Sequence, residues 1–328
     1  MNRPCLSIIV PIYNEEDGIP ALYERLHAVC TGFGVTYELL FVNDGSRDRS
    51  LTLLKELQAA DPQVRLLSFS RNFGHQVAIT AGMDHAQGEA VVVIDADLQD
   101  PPELIGQMLE KWREGYDVVY AVREKREGDT LFKRATAALF YRLLRKITNV
   151  DIPLDTGDFR LMSRRSIEAM KLFNERNRFV RGLVSWIGFK QTGITFVRAE
   201  RYAGETKYPL KKMLRFAIDG IVSFSFVPLQ LATFFGFLAS GLSFLGILWV
   251  VYMRLFTQET ITGWASMMVI VMFLGGVQLL TLGIIGEYIG RMYDEIKRRP
   301  LYLIEEALGF GQDAKNLAAR SEGERAER

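Results

Sequence analysis

Two long stretches without a single charge constrain this chain more than any other feature of it. No Asp, Glu, Lys or Arg lies between Asp219 and Arg254, and none lies between Glu259 and Glu287. Each gap exceeds the roughly 20 apolar residues that cross a bilayer as a helix. The expected spans run from Val227 to Met253 and from Thr262 to Gly286, with a short link, Arg254 to Gly263. Buried helices of a soluble core are the alternative, but apolar runs of this length are rare outside membranes. A transport path would require ionisable groups inside the spans. The spans therefore read as anchors or oligomer contacts. Gly275, Gly276, Gly283, Gly286 and Gly290 offer a small-residue face for helix packing.

The flanks give the orientation. Pro209 to Ile221 reads as an amphipathic helix, with Leu210, Met213, Leu214, Ala217 and Ile221 on one face and Lys211, Lys212 and Arg215 on the other. Such a helix lies in the membrane interface. Arg291, Lys297, Arg298 and Arg299 follow the second span. The positive-inside rule then places both the first part of the chain and its C-terminus in the cytoplasm, on a multi-pass inner-membrane protein. The expected organisation is a catalytic domain over 1–208, an interfacial helix over 209–226, a two-helix anchor over 227–290 and a C-terminal segment over 291–328. The polar stretch from Gly311 reads as a disordered tail. The N-terminal apolar run, Leu6 to Val10, stops at Pro11 and is too short for a secretory signal. Two cysteines point to a reducing compartment, and three histidines argue against a multi-histidine zinc site. A net charge of +1 argues against a nucleic-acid binder.

Ahead of the spans, short apolar runs alternate with helical patterns. Leu6–Val10, Glu38–Val42, Val64–Ser68, Ala90–Ile94 and Asp117–Ala121 read as strands, several of them apolar enough for burial on both faces. A helix follows Ser46, capped by Ser46 or Asp48, and another starts near Pro102. This alternation predicts an α/β domain with a mostly parallel sheet and its ligand at the carboxyl ends of the strands.

Those ends carry the chemistry. The strand Ala90–Ile94 runs into Asp95-Ala96-Asp97-Leu98-Gln99-Asp100. Carboxylates this close repel one another unless a cation compensates, and oxygen ligands suit Mg²⁺ or Mn²⁺. Asp97 and Gln99 alternate and so face one ion; Asp100 also suits a helix cap. Asp44, in Asn43-Asp44-Gly45-Ser46, is placed to accept bonds from a base or ribose. Near Pro11, backbone groups and the Glu15 side chain are placed to hold a nucleotide. Arg123, Arg134, Arg201 and Lys207 are candidate phosphate contacts. Asp158, in Gly157-Asp158-Phe159-Arg160, is either a general base or an orienting carboxylate, and an ion pair with Arg160 or another arginine is the competing reading.

The motifs "SIIVPIYNEE", "FVNDGSRD", "RNFGHQVAITAGMDHAQGEAVVVIDADLQDPPE" and "GDFRLMSR" resemble family 2 glycosyltransferases of the dolichyl-phosphate mannose synthase type. The resemblance continues through "ERNRFVRGLVSWIGF", "ERYAGETKY" and "FLGGVQLLTLGIIGEYIGRMYDEIKRRP" to the bacterial bactoprenol (undecaprenyl-phosphate) glucosyltransferases. It implies a GT-A domain with UDP-glucose as donor, a divalent metal, a polyprenyl-phosphate acceptor and a homo-oligomer, with a tetramer among its allowed states. It puts nucleotide-sugar contacts on Pro11, Tyr13, Glu15, Asp44, Asp95 and Ala96, and the metal on Asp97 and Gln99 with Asp95 close by. Mannose- and aminoarabinose-using relatives share the same core residues. A processive polysaccharide synthase would require a Gln-x-x-Arg-Trp motif and more spans. A dinucleotide enzyme would require G-x-G-x-x-G after the first strand. A scaffold would not require the acidic cluster.

Overall fold

The computed structural model describes residues 4–123, 156–173, 175, 176, 178–196, 227–256 and 263–310. Arg134, Arg201, Lys207, the interfacial helix over 209–226 and the tail from Gly311 lie outside the described residues. Contacts divide the chain into two units: one holds residues up to 145, 150–210 and 300 onward, and the other holds 146–149 and 211–299.

The first unit is built on one sheet. Strands β1 (Leu6–Ile12), β2 (Tyr37–Asn43), β3 (Val64–Phe69), β4 (Ala90–Val93), β5 (Val118–Arg123), β6 (Thr156–Ser163), β7 (Gln191–Phe196) and β8 (Ile304–Leu308) run in the order β7-β5-β6-β4-β1-β2-β3-β8. The pairs β1–β2, β1–β4, β2–β3 and β5–β7 are parallel. β6 runs antiparallel between β4 and β5, and β8 is antiparallel on β3. Every residue of β1, β2 and β4 is buried, which is why these strands read as apolar runs rather than alternations.

Helices α1 (Ile19–Gly32), α2 (Ser50–Ala60), α3 (His75–His85) and α4 (Leu104–Arg113) connect the strands. The face of α4 carrying Leu104, Ile105, Met108 and Leu109 is buried, and Pro101 and Pro102 supply its opening turn through their carbonyls. α2 starts later than Ser46 or Asp48 would make it. Its cap position is Arg49, without a side-chain cap bond, while Asp48 Oδ1 accepts the Ser50 N–H at 3.0 Å. Two short helices, α5 (Arg164–Lys171) and α6 (Val180–Trp186), follow β6. Ser163 caps α5 by accepting the Ser166 N–H.

Three strands were not expected from the sequence: β6, β7, which pairs in parallel with β5, and β8. β6, with all eight residues buried, lies in a stretch whose charges hide the strand pattern. Arg160 is fully inside it, 2% exposed. β8 follows the apolar helices and closes the β3 edge. Tyr302 stacks on Phe69 at 5.2 Å between ring centroids and donates to Asp84 at 3.0 Å. Lys55 pairs with Glu306 at 2.6 Å.

The second unit contributes α7 (Val227–Phe256) and α8 (Trp264–Lys297). Val227–Met253 and Ile270–Lys297 are long and apolar enough to cross a membrane, with mean hydropathies of 2.1 and 1.8. Exposed Phe, Leu, Ile and Met side chains run along both helices, the surface a bilayer would cover. α8 continues beyond Gly286 to Lys297, so the second helix outlasts its uncharged stretch.

Candidate active site

Three loops at the carboxyl ends of the parallel strands are tied together by their own side chains. Asp44 N–H donates to Ile12 carbonyl oxygen at 2.9 Å, joining the exits of β1 and β2. Asn14, at φ 54°, donates its N–H to Ser46 Oγ and accepts the Arg47 N–H on its side chain. Glu15 N–H donates to Ser50 Oγ, and Glu16 and Arg49 are joined by their own bond at 2.9 Å. Pro11 and Ile12 are buried, whereas Tyr13 is 43% exposed beside them. Gly18 faces the carbonyls of Glu15 and Ala96, so the β1 loop and the acidic turn abut.

Asp44 is buried and committed. Its Oδ1 accepts the Phe73 N–H at 2.7 Å and its Oδ2 accepts the Gly74 N–H at 3.0 Å. Burial pushes this carboxyl up, and the Phe73 and Gly74 bonds pull against that shift. In the geometry seen, Asp44 holds the β3–α3 loop. The neighbouring turn needs glycine: Gly45 has φ +65°, and a Cβ there would lie 2.4 Å from the backbone of Arg71. Gly45→Ala is expected to cost at least about 2 kcal/mol, read as a fall in the thermal midpoint. An unchanged midpoint would mean that the Arg71–Gly74 loop yields freely.

The acidic turn follows β4. Ile94 N–H still donates to Ile9 carbonyl oxygen at 3.0 Å, and the chain then turns through Asp95, Ala96 and Asp97. Asp97 Oδ1 accepts the Gln99 N–H at 3.1 Å, and Leu98 takes φ 56° to close the turn. This local bond places Asp97 and Gln99 together. No side chain caps α4; Asp100 is instead buried 3.8 Å from Arg123. Arg123 also lies over Gly157, where a Cβ would meet its Nη2 at 2.7 Å.

Asp158 is the hub. Arg181 grips it with two bonds, Nε to Oδ1 at 2.9 Å and Nη2 to Oδ2 at 3.1 Å. Arg160 Nη2 lies 3.3 Å from Oδ1, and Gln76 Nε2 donates to Oδ2 at 3.4 Å. His75 Nε2 lies 3.3 Å from the same Oδ2 and 3.4 Å from Asp95 Oδ1. Burial pushes the Asp158 carboxyl up, but the His75 bond and the charges of Arg181 and Arg160 outweigh it and hold the group well below the usual carboxylate range. A carboxylate so held is a poor proton acceptor. Asp95 goes the other way: burial raises it, His75 offsets part of that, and the charges of Asp158 and Asp97 add to the rise. Asp95 and Asp158 are thus brought together through His75. That histidine, with Gln76 and Arg181, is what sequence reasoning missed. His75 has a positional signal, since it follows the exit of a parallel strand; Arg181 has none in its spacing.

Residues 7–170 match the family model described as glycosyl transferase family 2. The chain belongs to that family. This family 2 glycosyltransferase is 61% identical over 304 residues to the uncharacterized glycosyltransferase YkcC of Bacillus subtilis (strain 168), covering 93% of this chain and 94% of that one. It is 43% identical over 300 residues to the prophage bactoprenol glucosyl transferase homolog of Escherichia coli (strain K12), covering 92% and 98%. Among solved structures, mannosyltransferase PcManGT from Pyrobaculum calidifontis, in complex with GDP-Man and Mn²⁺, overlaps 62% of this chain and 59% of its own. That overlap has a TM-score of 0.43 and 20% identity. The parallel strands with an acidic turn at their carboxyl ends are the GT-A arrangement of the family.

The glycosyltransferase site fits a hard divalent cation. Asp95 Oδ1 is a buried carboxylate oxygen that receives no hydrogen bond, and Asp97 and Gln99 stand beside it on one turn. His75, Asp95 and Asp158 also offer ligand atoms within 4.8 Å of one another. Both oxygens of Asp158, however, are engaged by Arg181, and a metal there would have to break that pair.

Proposed function

We propose that this enzyme transfers glucose from UDP-glucose to polyprenyl (undecaprenyl) phosphate at the cytoplasmic face of the membrane, with inversion. The observation that carries the reading is the juxtaposition of the acidic turn with Arg123 in a chain that also bears two apolar helices. Such a chain has a phosphate-handling site and an anchor for working on a lipid. The bactoprenol glucosyl transferase homolog, alike over 92% of this chain, supports the same acceptor.

Asp97 and Gln99, with Asp95 close by, would hold Mg²⁺ or Mn²⁺, which when bound neutralises charge on the departing diphosphate. Pro11, Tyr13, Glu15, Asp44 and Ala96 would line the nucleotide-sugar side. Arg123, with Arg134, Arg201 and Lys207, would hold the lipid phosphate. An oxygen of that phosphate attacks the anomeric carbon from the face opposite UDP. The bond from that carbon to the UDP oxygen breaks, and UDP leaves. The attacking phosphate is already ionised at neutral pH, so no strong base is required. Asp158, held low by its arginines, then serves to orient rather than to take a proton. The domain over 1–208 would be held at the lipid phosphate by the 209–226 helix and the 227–290 anchor, in an oligomer.

The test is purified protein incubated with undecaprenyl phosphate and a panel of labelled UDP- and GDP-sugars. Label is expected in lipid from UDP-glucose alone. Label from another sugar would keep the acceptor and change the donor, to mannose or aminoarabinose. No lipid product and no released nucleotide would favour a scaffold.

A further inference from the structure

The chain that leaves α8 goes straight to a loop on the nucleotide side of the site. Arg298 ends α8 in a left-handed turn at φ 48°, and Tyr302 and Leu303 follow within five residues. The Leu303 carbonyl oxygen accepts the Ser70 N–H at 3.1 Å, where β3 opens into the loop over 70–74. The Tyr302 ring stacks on Phe69 at 5.2 Å, and Phe69 in turn meets Phe73 edge-on at 5.6 Å. The Tyr302 hydroxyl donates to Asp84 Oδ2 at 3.0 Å, in the last turn of α3. One side chain thus reaches from the end of β3 to the end of α3 and closes around the connection between them. The inner side of that connection belongs to Asp44, which accepts the N–H groups of Phe73 and Gly74. In the first turn of α3, Gln76 donates to Asp158 Oδ2 and accepts the Val180 N–H.

We infer that Tyr302 is a positioning residue for the nucleotide side of the site: it braces the β3–α3 loop from outside, so that Asp44 is held in place before a nucleotide arrives. The brace matters because Asp44 and the loop fix each other. If the loop loosens, the carboxylate loses the two N–H groups that hold it, and the nucleotide must order both as it binds. Affinity then falls with the fraction of molecules whose loop is in place. The bond from Tyr302 runs to a carboxylate, and the loss of such a bond is worth about tenfold in that equilibrium. Neither Tyr302 nor Asp84 takes part in the transfer step, so a donor once bound should react at nearly the wild-type rate. Binding lost alike from ground state and transition state raises KM and spares kcat. A chain cut after α8 would keep every residue assigned to the site and lack this brace.

This inference rests on the proposed nucleotide-sugar reading, and the experiment separates the two. Equilibrium binding of labelled UDP and GDP to the full-length protein in detergent, with Mg²⁺ present, is measured beside kcat and both KM values. Tyr302→Phe keeps the stack on Phe69 and loses only the bond to Asp84. It is expected to bind the nucleotide about tenfold more weakly and to raise the donor KM by a similar factor. Its kcat and its KM for the lipid phosphate should stay within about twofold of wild type. Asp84→Ala should match it, and Asp84→Asn, which keeps an acceptor, should recover most of the affinity. The double variant, Tyr302→Phe with Asp84→Ala, should be no worse than either alone. Without nucleotide, the amides over 70–74 should exchange hydrogen faster in Tyr302→Phe, and those of β1 should not. A fall in kcat with both KM values unchanged overturns the inference, because that is the mark of a smaller folded fraction. If wild type binds neither UDP nor GDP, the nucleotide-sugar reading fails and the inference falls with it. If wild type binds one of them and Tyr302→Phe binds it equally well, that reading stands and only the inference fails.

Discussion

Asp97→Ala is expected to lower sugar transfer by a factor of about a thousand or more, the scale on which enzymes lose charge stabilisation aimed at a leaving group. Two functions would be lost at once, because Asp97 also accepts the Gln99 N–H that closes its turn. Asp97→Asn separates them. An amide oxygen still closes the turn but carries no charge, so Asn should be nearly as inactive as Ala if the charge holds a metal. Initial rates of label transfer from UDP-glucose to undecaprenyl phosphate, with Mg²⁺ or Mn²⁺ present, measure both variants. A wild-type rate in Asp97→Ala would remove Asp97 as a metal ligand.

The second large effect is on stability. Arg160 is 2% exposed, and Asp158 is its ion-pair partner at 3.3 Å. Asp158→Ala leaves a guanidinium buried without its counter-charge, a change that costs about 3–5 kcal/mol. Chemical unfolding in detergent should show it, and a loss below about 1 kcal/mol would mean that Arg160 finds another partner. The pH dependence has a definite sign. Asp158 is held below the ordinary carboxylate range in the folded protein, against about 3.9 when unfolded. Its contribution is therefore full above the unfolded value and is lost as pH falls through the folded one. Wild type should lose stability below about pH 4 more steeply than Asp158→Ala, which lacks that contribution at every pH.

Legibility followed the physics of each element. β1, β2 and β4 are buried on both faces and announce themselves as unbroken apolar runs. Their exits carry the loops in which Asp44 and Asp95 were found. α7 and α8 were plain because each carries an uncharged apolar run long enough to cross a membrane. β6 was hidden because it buries Arg160 and Asp158, and an ion pair inside a strand erases the apolar pattern. β8 was hidden by order, since nothing in Ile304–Leu308 says that its partner lies more than two hundred residues earlier. The acidic turn was legible because its residues are contiguous. The His75–Asp158–Arg181 group was not, because α3, β6 and α6 meet only in the folded chain. Asp44 shows a subtler gap: its strand-end position was right, but in the geometry seen its oxygens hold a loop.

The antiparallel pairing of β8 with β3 also counts crossings. β3 precedes the two apolar helices and β8 follows them, and hydrogen-bonded neighbours cannot lie on opposite sides of a bilayer. The number of crossings between them must be even, so, if the candidate spans among the described residues are the ones that cross, α7 and α8 both traverse the membrane or neither does. This parity is imposed by backbone bonds and owes nothing to the arginines that flank the second span. It also gives the chain a schedule. The β3 edge stays open while the hairpin is synthesised, and the last strand can be laid down only after the hairpin has returned. A variant that strands one helix outside the bilayer would therefore be expected to leave that edge unpaired.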